Sequence, residues 1–281
     1  MNPINFKQER DLGTTLQDAS TFIKQNFGKI LKPTLIVVIV PLILSTVLMV
    51  MAMQSFYGTM ASAPNDPIAM LSAMGAMIPA YLLLMVTYVM TYIMFIGYIK
   101  LYAAGQENIT LGDLASILKS KTIPLIFSSI ILIIVIYVGM ILCFFPGIYL
   151  AIVFAHFYAI SIIEDAGFGA TWSRCFYLIK DNWWSTFGLY IVTYLIALGI
   201  LIVLYIPMYI IMGLEMFKAV DKNDSAQLFN SMSNMMSYIM PIYYLVGLAI
   251  SLLFAVVSTF RYFSLVDQKD GSGEREIIEQ L

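Results

Sequence analysis

Residues 167–184 read GFGATWSRCFYLIKDNWW and form a polar island between two long apolar runs. Bulky apolar side chains recur in this island every three or four residues, the spacing of one stripe on a helix: Phe168, Trp172, Phe176, Ile179 and Trp183. A helix with one apolar stripe lies in a membrane surface rather than across it, so the island is predicted to be a cytoplasmic interfacial helix leading into a span. The pair Trp183 and Trp184 supports this, because amphipathic aromatic rings are favoured at the depth where a span begins.

Two other stretches of the chain resemble this island. Ile23–Phe27 reads IKQNF, against IKDNW at Ile179–Trp183. A helical stripe precedes this copy as well: Leu12, Leu16, Ala19, Ile23 and Phe27. A weaker third copy, TLGDLAS at Thr110–Ser116, resembles TLQDAS at Thr15–Ser20. We interpret the copies as a threefold helical-hairpin repeat of surface helix, span and return span. The alternative is that similar demands on any segment leading into a membrane produced the likeness without duplication, as the irregular spacing between copies suggests.

The composition is that of an integral membrane protein. Of the 281 residues, 60% are hydrophobic and 11% charged, and the mean hydropathy is +0.87. A soluble domain carries about 25% charged residues. No basic patch of the kind that binds nucleic acid occurs in the sequence. The first apolar run starts at Pro33 without the short apolar region and small-residue cleavage site of a signal peptide, so we expect the first span to be retained.

Six apolar stretches are long enough, or nearly so, to cross the hydrocarbon core as helices, for which about 20 residues are needed. They cover residues 33–53, 77–99, 123–144, 146–163, 187–214 and 239–263. The predicted fold is therefore an all-α integral membrane protein with six transmembrane helices, in which residues 1–266 form the membrane domain and residues 267–281 a short cytoplasmic tail. Pro146-Gly147 indicates a tight hairpin between the third and fourth spans, and Pro207 is expected to kink or end the fifth.

The basic residues predict the orientation of the six spans. With the N-terminus inside the cell, all Lys and Arg residues except Lys218 and Lys222 lie in cytoplasmic segments or at their borders. Both termini are then cytoplasmic, as an even number of spans requires. The predicted location is a bacterial inner (plasma) membrane, with cytoplasmic amphipathic helices at residues 11–31, 111–119 and 168–181.

A resemblance to a known family rests on the order of short motifs along the chain. The N-terminal surface helix ends in Asn26-Phe27, and a later span starts with Pro146-Gly147-Ile148-Tyr149-Leu150. Further shared positions follow: Glu164, Gly167, Ala170, Ser173, Leu178, Lys180, Asn182 and Trp183. The chain resembles bacterial membrane proteins grouped with the membrane domain of glycerophosphoryl diester phosphodiesterase, and related uncharacterised six-span families. This resemblance implies a six-helix membrane fold. It does not imply phosphodiesterase activity, which in the proteins that the chain resembles belongs to a soluble barrel domain with no counterpart in these residues.

His156, the only histidine, lies within the fourth span. An ionisable group in hydrocarbon is costly and therefore a candidate intramembrane polar site. The structural alternative is a neutral imidazole hydrogen-bonded to a neighbouring helix, which is favoured because no charged residue lies in the central part of any span as its partner. One histidine and two cysteines on opposite sides of the bilayer cannot form a zinc or iron site, so we expect no metal and no other cofactor.

The function predicted from these residues is non-catalytic, since no nucleophile-elbow, zinc-hydrolase or phosphate-loop pattern occurs. We interpret the chain as a scaffold or accessory subunit that contacts lipid headgroups and a membrane or cytoplasmic protein through its cytoplasmic face. The predicted contact residues are Trp172, Arg174, Phe176, Lys180, Trp183, Lys24 and Phe27. The alternative is a small transporter of an apolar or zwitterionic molecule, with which spans broken at Pro41 and Pro207 are compatible. The lack of charge inside the predicted spans argues against ion coupling.

Overall fold

The computed structural model describes residues 6, 8–221 and 225–271, and over these residues the regular secondary structure is entirely α-helical. The helices in the described ranges are α1 (Leu12–Ser62), α2 (Pro67–Gly75), α3 (Ile78–Ala103), α4 (Leu111–Leu142), α5 (Phe144–Phe154), α6 (Phe157–Ile163), α7 (Phe168–Ile179), α8 (Trp183–Asp221) and α9 (Ser225–Asp270). Beyond residue 271, the predicted tail lies outside the described part of the chain.

Six segments are long and apolar enough to cross a membrane. They are Leu12–Ser62, Pro67–Ala103, Leu111–Leu142, Phe144–Ile163, Trp183–Val203 and Ser231–Asp270. The predicted fold class is confirmed: the protein is an all-α, multi-pass membrane protein with six spans. Helices are the expected solution, because an isolated apolar segment in a bilayer can satisfy its backbone N–H and C=O groups only within itself.

Two of the three predicted surface helices are not separate elements. Residues 12–31 form the first part of α1, a continuous helix of 51 residues, and residues 111–119 form the first turns of α4. A Thr110–Asp113 capping box, in which each side chain accepts from the other residue's backbone N–H, fixes the start of α4. Neither α1 nor α4 ends before its apolar run begins.

The spans expected to break at proline are continuous helices. α1 runs through Pro41, and α8 extends past residue 207 to Asp221. Proline is tolerated in membrane helices because neighbouring groups and local adjustments satisfy the freed carbonyl. The breaks predicted at Pro41 and Pro207, which made the chain compatible with a transporter, are therefore not present in α1 and α8.

The hairpin between α4 and α5 turns at Cys143, whose backbone is extended (φ −165°, ψ 134°). Pro146 and Gly147, where the sequence placed the reversal, instead lie in the first turn of α5, in which a missing proline N–H costs nothing. A Cβ atom placed on Gly139 would lie 3.1 Å from the Gly147 Cα. These two glycines therefore let the helix backbones approach closely beside the turn.

The fourth span is interrupted, which the sequence did not predict. α5 ends at Phe154 and α6 begins at Phe157, with Ala155 and His156 between them. The His156 backbone has φ −97° and ψ 0°, values of the sparsely populated bridge region. Here the regular hydrogen bonding of one helix stops and that of the next starts.

The chain divides into two compact units. The first comprises Met1–Ile36, Val89–Leu195 and Ser251–Leu281, and the second Val37–Tyr88 and Ile196–Ile250. The core of the first unit contains fully buried aromatic side chains of four different helices, Phe22, Phe95, Phe157 and Phe260. In the second unit the side chain of Gln54 donates to Ser237 Oγ over 3.1 Å. The candidate site lies in the first unit.

Candidate functional site

Helix α7 is the one predicted surface helix that forms a separate element. It is flanked by two residues in the left-handed conformation, Asp165 (φ 55°) and Asp181 (φ 69°). A short polar side chain makes this conformation less costly than it is for most residues. The residue before the helix, Gly167, is extended and has no side chain to cap the first N–H groups, which have no acceptor within the helix.

The buried face of α7 is displaced from the predicted stripe. The buried residues are Thr171, Cys175, Leu178 and Ile179. Trp172 and Phe176 are half-buried, with their rings 4.4 and 5.6 Å from that of Phe154 in α5. The stripe thus lies at the edge of the packed face, because the smaller side chains of Thr171 and Cys175 allow α7 to approach the neighbouring helices there.

Arg174, a predicted headgroup contact, is held by two carboxylates. Its Nε donates to Glu164 Oε1 over 3.0 Å, and its Nη2 pairs with Asp270 at the end of α9. Burial lowers the pKa of the guanidinium, but the hydrogen bonds with Asp270 and Glu164 outweigh that effect, so the pKa is raised overall. The Tyr262 hydroxyl also donates to Glu164, over 3.0 Å. Arg174 therefore fastens α7 to α9.

The other predicted contact residues occupy different places. Lys180 follows α7 and is exposed, and Lys24 and Phe27 are exposed on α1. Trp183 is half-buried and stacks on Phe187, with ring centroids 5.0 Å apart. Trp184 beside it is 77% exposed. That these side chains contact lipid headgroups or a partner protein stays a prediction.

A groove of about 490 Å³ opens between α4, the end of α6 and the start of α7. We call it the α4–α7 groove, and its lining residues are Ser120, Lys121, Pro124, Phe127, Ser128, Ile131, Ser161, Asp165, Ala166, Gly167 and Phe168. Its two ends differ in chemistry. Charged and hydroxyl groups surround the uncapped start of α7, whereas Phe127 (64% exposed) and Ile131 (42% exposed) form an apolar flank.

The polar end of the α4–α7 groove contains an ion pair between unequal partners. Lys121 Nζ lies 2.6 Å from Asp165 Oδ1, and the side chains are 11% and 76% exposed respectively. The hydrogen bond and the charge of Lys121 hold the pKa of Asp165 below its ordinary value of 3.8, so the carboxylate is ionised at neutral pH. The ammonium group is thus fixed in the wall, while the carboxylate reaches into solvent.

Arg261 and His156 are two of the buried polar side chains elsewhere in the first unit. Arg261 in α9, near the end of the sixth apolar run, is 6% exposed. His156 is fully buried, its ring 5.9 Å from that of Tyr190. Among the described residues neither ring nitrogen has a hydrogen-bond partner, so the expected hydrogen bond to a neighbouring helix is not present.

The cysteines and the other residue types that bind metals are spread over the described part of the chain. Over those residues no group of three or more His, Cys, Asp or Glu side chains is placed to hold a metal ion. Cys175 is buried, and burial raises the pKa of its thiol, which makes the reactive thiolate rare. Cys143, at the α4–α5 turn, is exposed.

Comparison of the chain with protein-family models, with curated proteins and with solved structures finds no match. The resemblance to the membrane domain of glycerophosphoryl diester phosphodiesterase stays a prediction from its motifs.

Proposed function

We propose that this multi-pass membrane protein is a non-catalytic scaffold or accessory subunit that binds a phospholipid headgroup in the α4–α7 groove and a partner protein beside it. The observation that carries the proposal is the amphipathic lining of the groove, in which the buried amine of Lys121 stands at one end and exposed apolar rings and chains at the other. A phospholipid has the same division between phosphate and acyl chain.

The polar end of the groove offers two kinds of donor to a phosphate. Lys121 supplies a charged amine, and the start of α7 supplies backbone N–H groups that no side chain caps. Helix N-termini favour anions because their N–H groups and the helix dipole point at the ligand. Asp165 pairs with Lys121 but its side chain is 76% exposed, so its outer side faces the position of an ammonium group of a zwitterionic lipid.

The apolar flank suits the acyl chain. Phe127 and Ile131 are four residues apart on α4, so they share a face of that helix, and both are exposed. In the proposed orientation, inferred from the distribution of Lys and Arg, this end of the protein faces the cytoplasm of a bacterium and the termini are cytoplasmic.

The partner protein is assigned to the surface around the start of α8. Trp184 is 77% exposed, and Lys180, four positions earlier in the sequence, is also exposed. Tryptophan is enriched among the residues that dominate binding energy at interfaces. By contrast Trp172, Phe176 and Arg174 are packed or paired within the protein, which makes them less suited to binding. The test is co-purification of partner proteins from native membranes. We expect Trp184→Ala to lose the partner protein and to retain lipid binding.

The headgroup site is tested with Lys121→Gln. Phospholipid retained by the detergent-purified protein after a delipidating wash is measured by mass spectrometry. We expect about a tenfold loss of retained lipid, the value for a charge-assisted hydrogen bond. Lys119→Gln is the matched control, because Lys119 is exposed on the same helix and outside the groove lining. Equal retention by wild type and both variants would contradict the proposal.

A further inference from the structure

A second cavity, of about 260 Å³, lies between the residues before α1, the start of α8 and the last part of α9. It shares no lining residue with the α4–α7 groove. The lining residues are Glu9, Arg10, Asp11, Leu12, Asn182, Ser185, Leu189, Arg261, Ser264 and Gln268. All of these except the two leucines are polar or charged, so the cavity suits a water-soluble group rather than an acyl chain.

Arg261 is the side chain that gives this cavity its chemistry. Its Nε donates to Thr186 Oγ1 over 3.1 Å and its Nη2 to Ser185 Oγ over 2.6 Å. No carboxylate of the described residues forms an ion pair with it. The other described arginines differ, because Arg10 pairs with Asp18 over 2.8 Å and Arg174 pairs with two acids.

A buried guanidinium without a counter-ion is unfavourable. Arg261 is 6% exposed, and the two hydroxyl groups that orient it supply dipoles but no negative charge. Taking an ion out of water costs far more than neutral hydrogen bonds return, so buried charges in proteins are normally paired. The cavity beside Arg261 provides room for the missing negative charge.

We propose that this cavity binds a small oxyanion with a single negative charge, a carboxylate or a monobasic phosphate group, on Arg261. The planar guanidinium matches the two oxygens of such a group. The start of α8 adds favourable dipoles, since Asn182 and Ser185 line the cavity at the N-terminus of that helix. Glu9 and Asp11 also line it, which disfavours an anion of higher charge.

The oxyanion has two possible sources, a free solute or a lipid headgroup. Thermal unfolding of the detergent-purified full chain, followed by tryptophan fluorescence, distinguishes them. One arm replaces sodium chloride by sodium formate or monobasic sodium phosphate at constant ionic strength. The other arm uses nanodiscs of phosphatidylglycerol, against nanodiscs of an uncharged glycolipid, in sodium chloride.

The expected result in one of the two arms is an increase in Tm of wild type on the order of 5 °C at saturation. Arg261→Met removes the charge and keeps much of the volume, so it should abolish this increase. It should also raise the Tm measured without the anion, because an uncompensated buried charge is lost. Lys180→Met, which removes an exposed charge outside the cavity, is the control and should respond as wild type does.

Ser185→Ala keeps the charge but removes one hydroxyl that orients the guanidinium, and it provides a milder test if Arg261→Met does not fold. We expect the half-saturating anion concentration to rise roughly fivefold. The proposal is overturned if no arm changes the Tm of wild type, or if Arg261→Met and Ser185→Ala respond as strongly as wild type. It is also overturned if replacing Glu274, Glu276 and Glu279 by Gln lowers the Tm of wild type but not of Arg261→Met, since the counter-ion is then the chain's own tail.

Discussion

Two segments share a sequence pattern but differ in backbone: Thr15–Phe27 in α1, and Thr171–Trp183, which runs from α7 to the first residue of α8. Three of the residues at corresponding positions are buried in each: Thr15, Ala19 and Phe22 in the first segment, and Thr171, Cys175 and Leu178 in the second. Both then reach an asparagine, Asn26 and Asn182. The first segment continues as one helix, whereas the second breaks after Ile179.

The break is local. Asp181 adopts the left-handed conformation at the position where the first segment has Gln25 within a helix. The buried residues are therefore arranged alike in the two segments. Their backbones differ at a polar position, which is Gln25 in the first and Asp181 in the second. The two segments bury residues at the same spacing, yet only the first continues as a helix, so the pattern of burial does not decide whether the helix continues.

The two segments also make different contacts with α9. Phe22 has its ring 5.3 Å from that of Tyr102 and 5.7 Å from that of Phe260, and the Tyr98 hydroxyl donates to Asn26 Oδ1. The α7 segment is instead held to the end of α9 by ion pairs, Arg174 with Asp270 and Lys269 with Asp181. We therefore expect the first segment to respond to loss of apolar volume and the second to loss of charge.

The largest effect is expected for Phe22→Ala. Phe22 is fully buried in the aromatic cluster, so truncation leaves a cavity and should lower the free energy of unfolding by about 3–5 kcal/mol. Denaturant unfolding of the detergent-purified protein measures the change. Phe27→Ala is the matched control, because Phe27 is 45% exposed on the same helix, and its effect should be below about 1 kcal/mol. Similar losses for both variants would show that the cluster does not hold this segment.

Arg174→Met should have the next largest effect, about 1–2 kcal/mol, between the values for exposed and buried ion pairs. The carboxylates of Glu164 and Asp270 lose their common partner, and α7 is expected to loosen. The readout is the rate at which a thiol reagent modifies Cys175, in a background that carries Cys143→Ser. Wild type should react slowly, because Cys175 is buried and burial raises the pKa of its thiol.

Lys180→Met, at an exposed position just after α7, is the control and should leave the modification rate of Cys175 unchanged. If Arg174→Met also leaves that rate unchanged, packing and not charge holds α7, and the contrast between the segments is wrong. High salt should accelerate modification in wild type if the ion pairs contribute, since partly exposed pairs are screened.

Much of the fold could be predicted from the sequence because a bilayer imposes one rule on every span. An apolar stretch of sufficient length has to be helical, which gave all six spans. The weaker third copy, which begins at Thr110, has buried residues at the same spacing as α1. Counted from Thr110, α4 buries Leu114, Lys121 and Leu125, at the spacing of Ala19, Asn26 and Ile30 in α1.

The remaining features depend on contacts between distant parts of the chain. The interruption at His156 has no proline or glycine beside it, and the turn at Cys143 precedes the Pro-Gly pair that indicated it. The hydrogen bonds of Arg261 could not be predicted, because hydropathy does not register Ser185 and Thr186, 75 residues or more away, as its partners. Lys121 was likewise counted for its charge and not for the groove that it lines.

The smallest effect, and the most direct test of the comparison, is expected for Asp181→Gln, which places the residue type of Gln25 at the break. Glutamine lacks the short side chain that eases the left-handed conformation, so the substitution should cost about 1 kcal/mol. Part of this comes from the Lys269 contact, which is weak because the Asp181 side chain is 74% exposed. Thermal unfolding measures both this variant and Asp181→Gly.

Asp181→Gly loses the same contact but accepts a positive φ without strain, so its stability should stay within about 0.5 kcal/mol of wild type. A difference between the two variants assigns the break to the backbone of residue 181. Equal stability of the two variants would show that the break is caused by the residues that follow Asp181. There the Trp183 ring stacks on Phe187 and lies 6.0 Å from Tyr149, contacts that could fix the direction of α8 whatever residue precedes them.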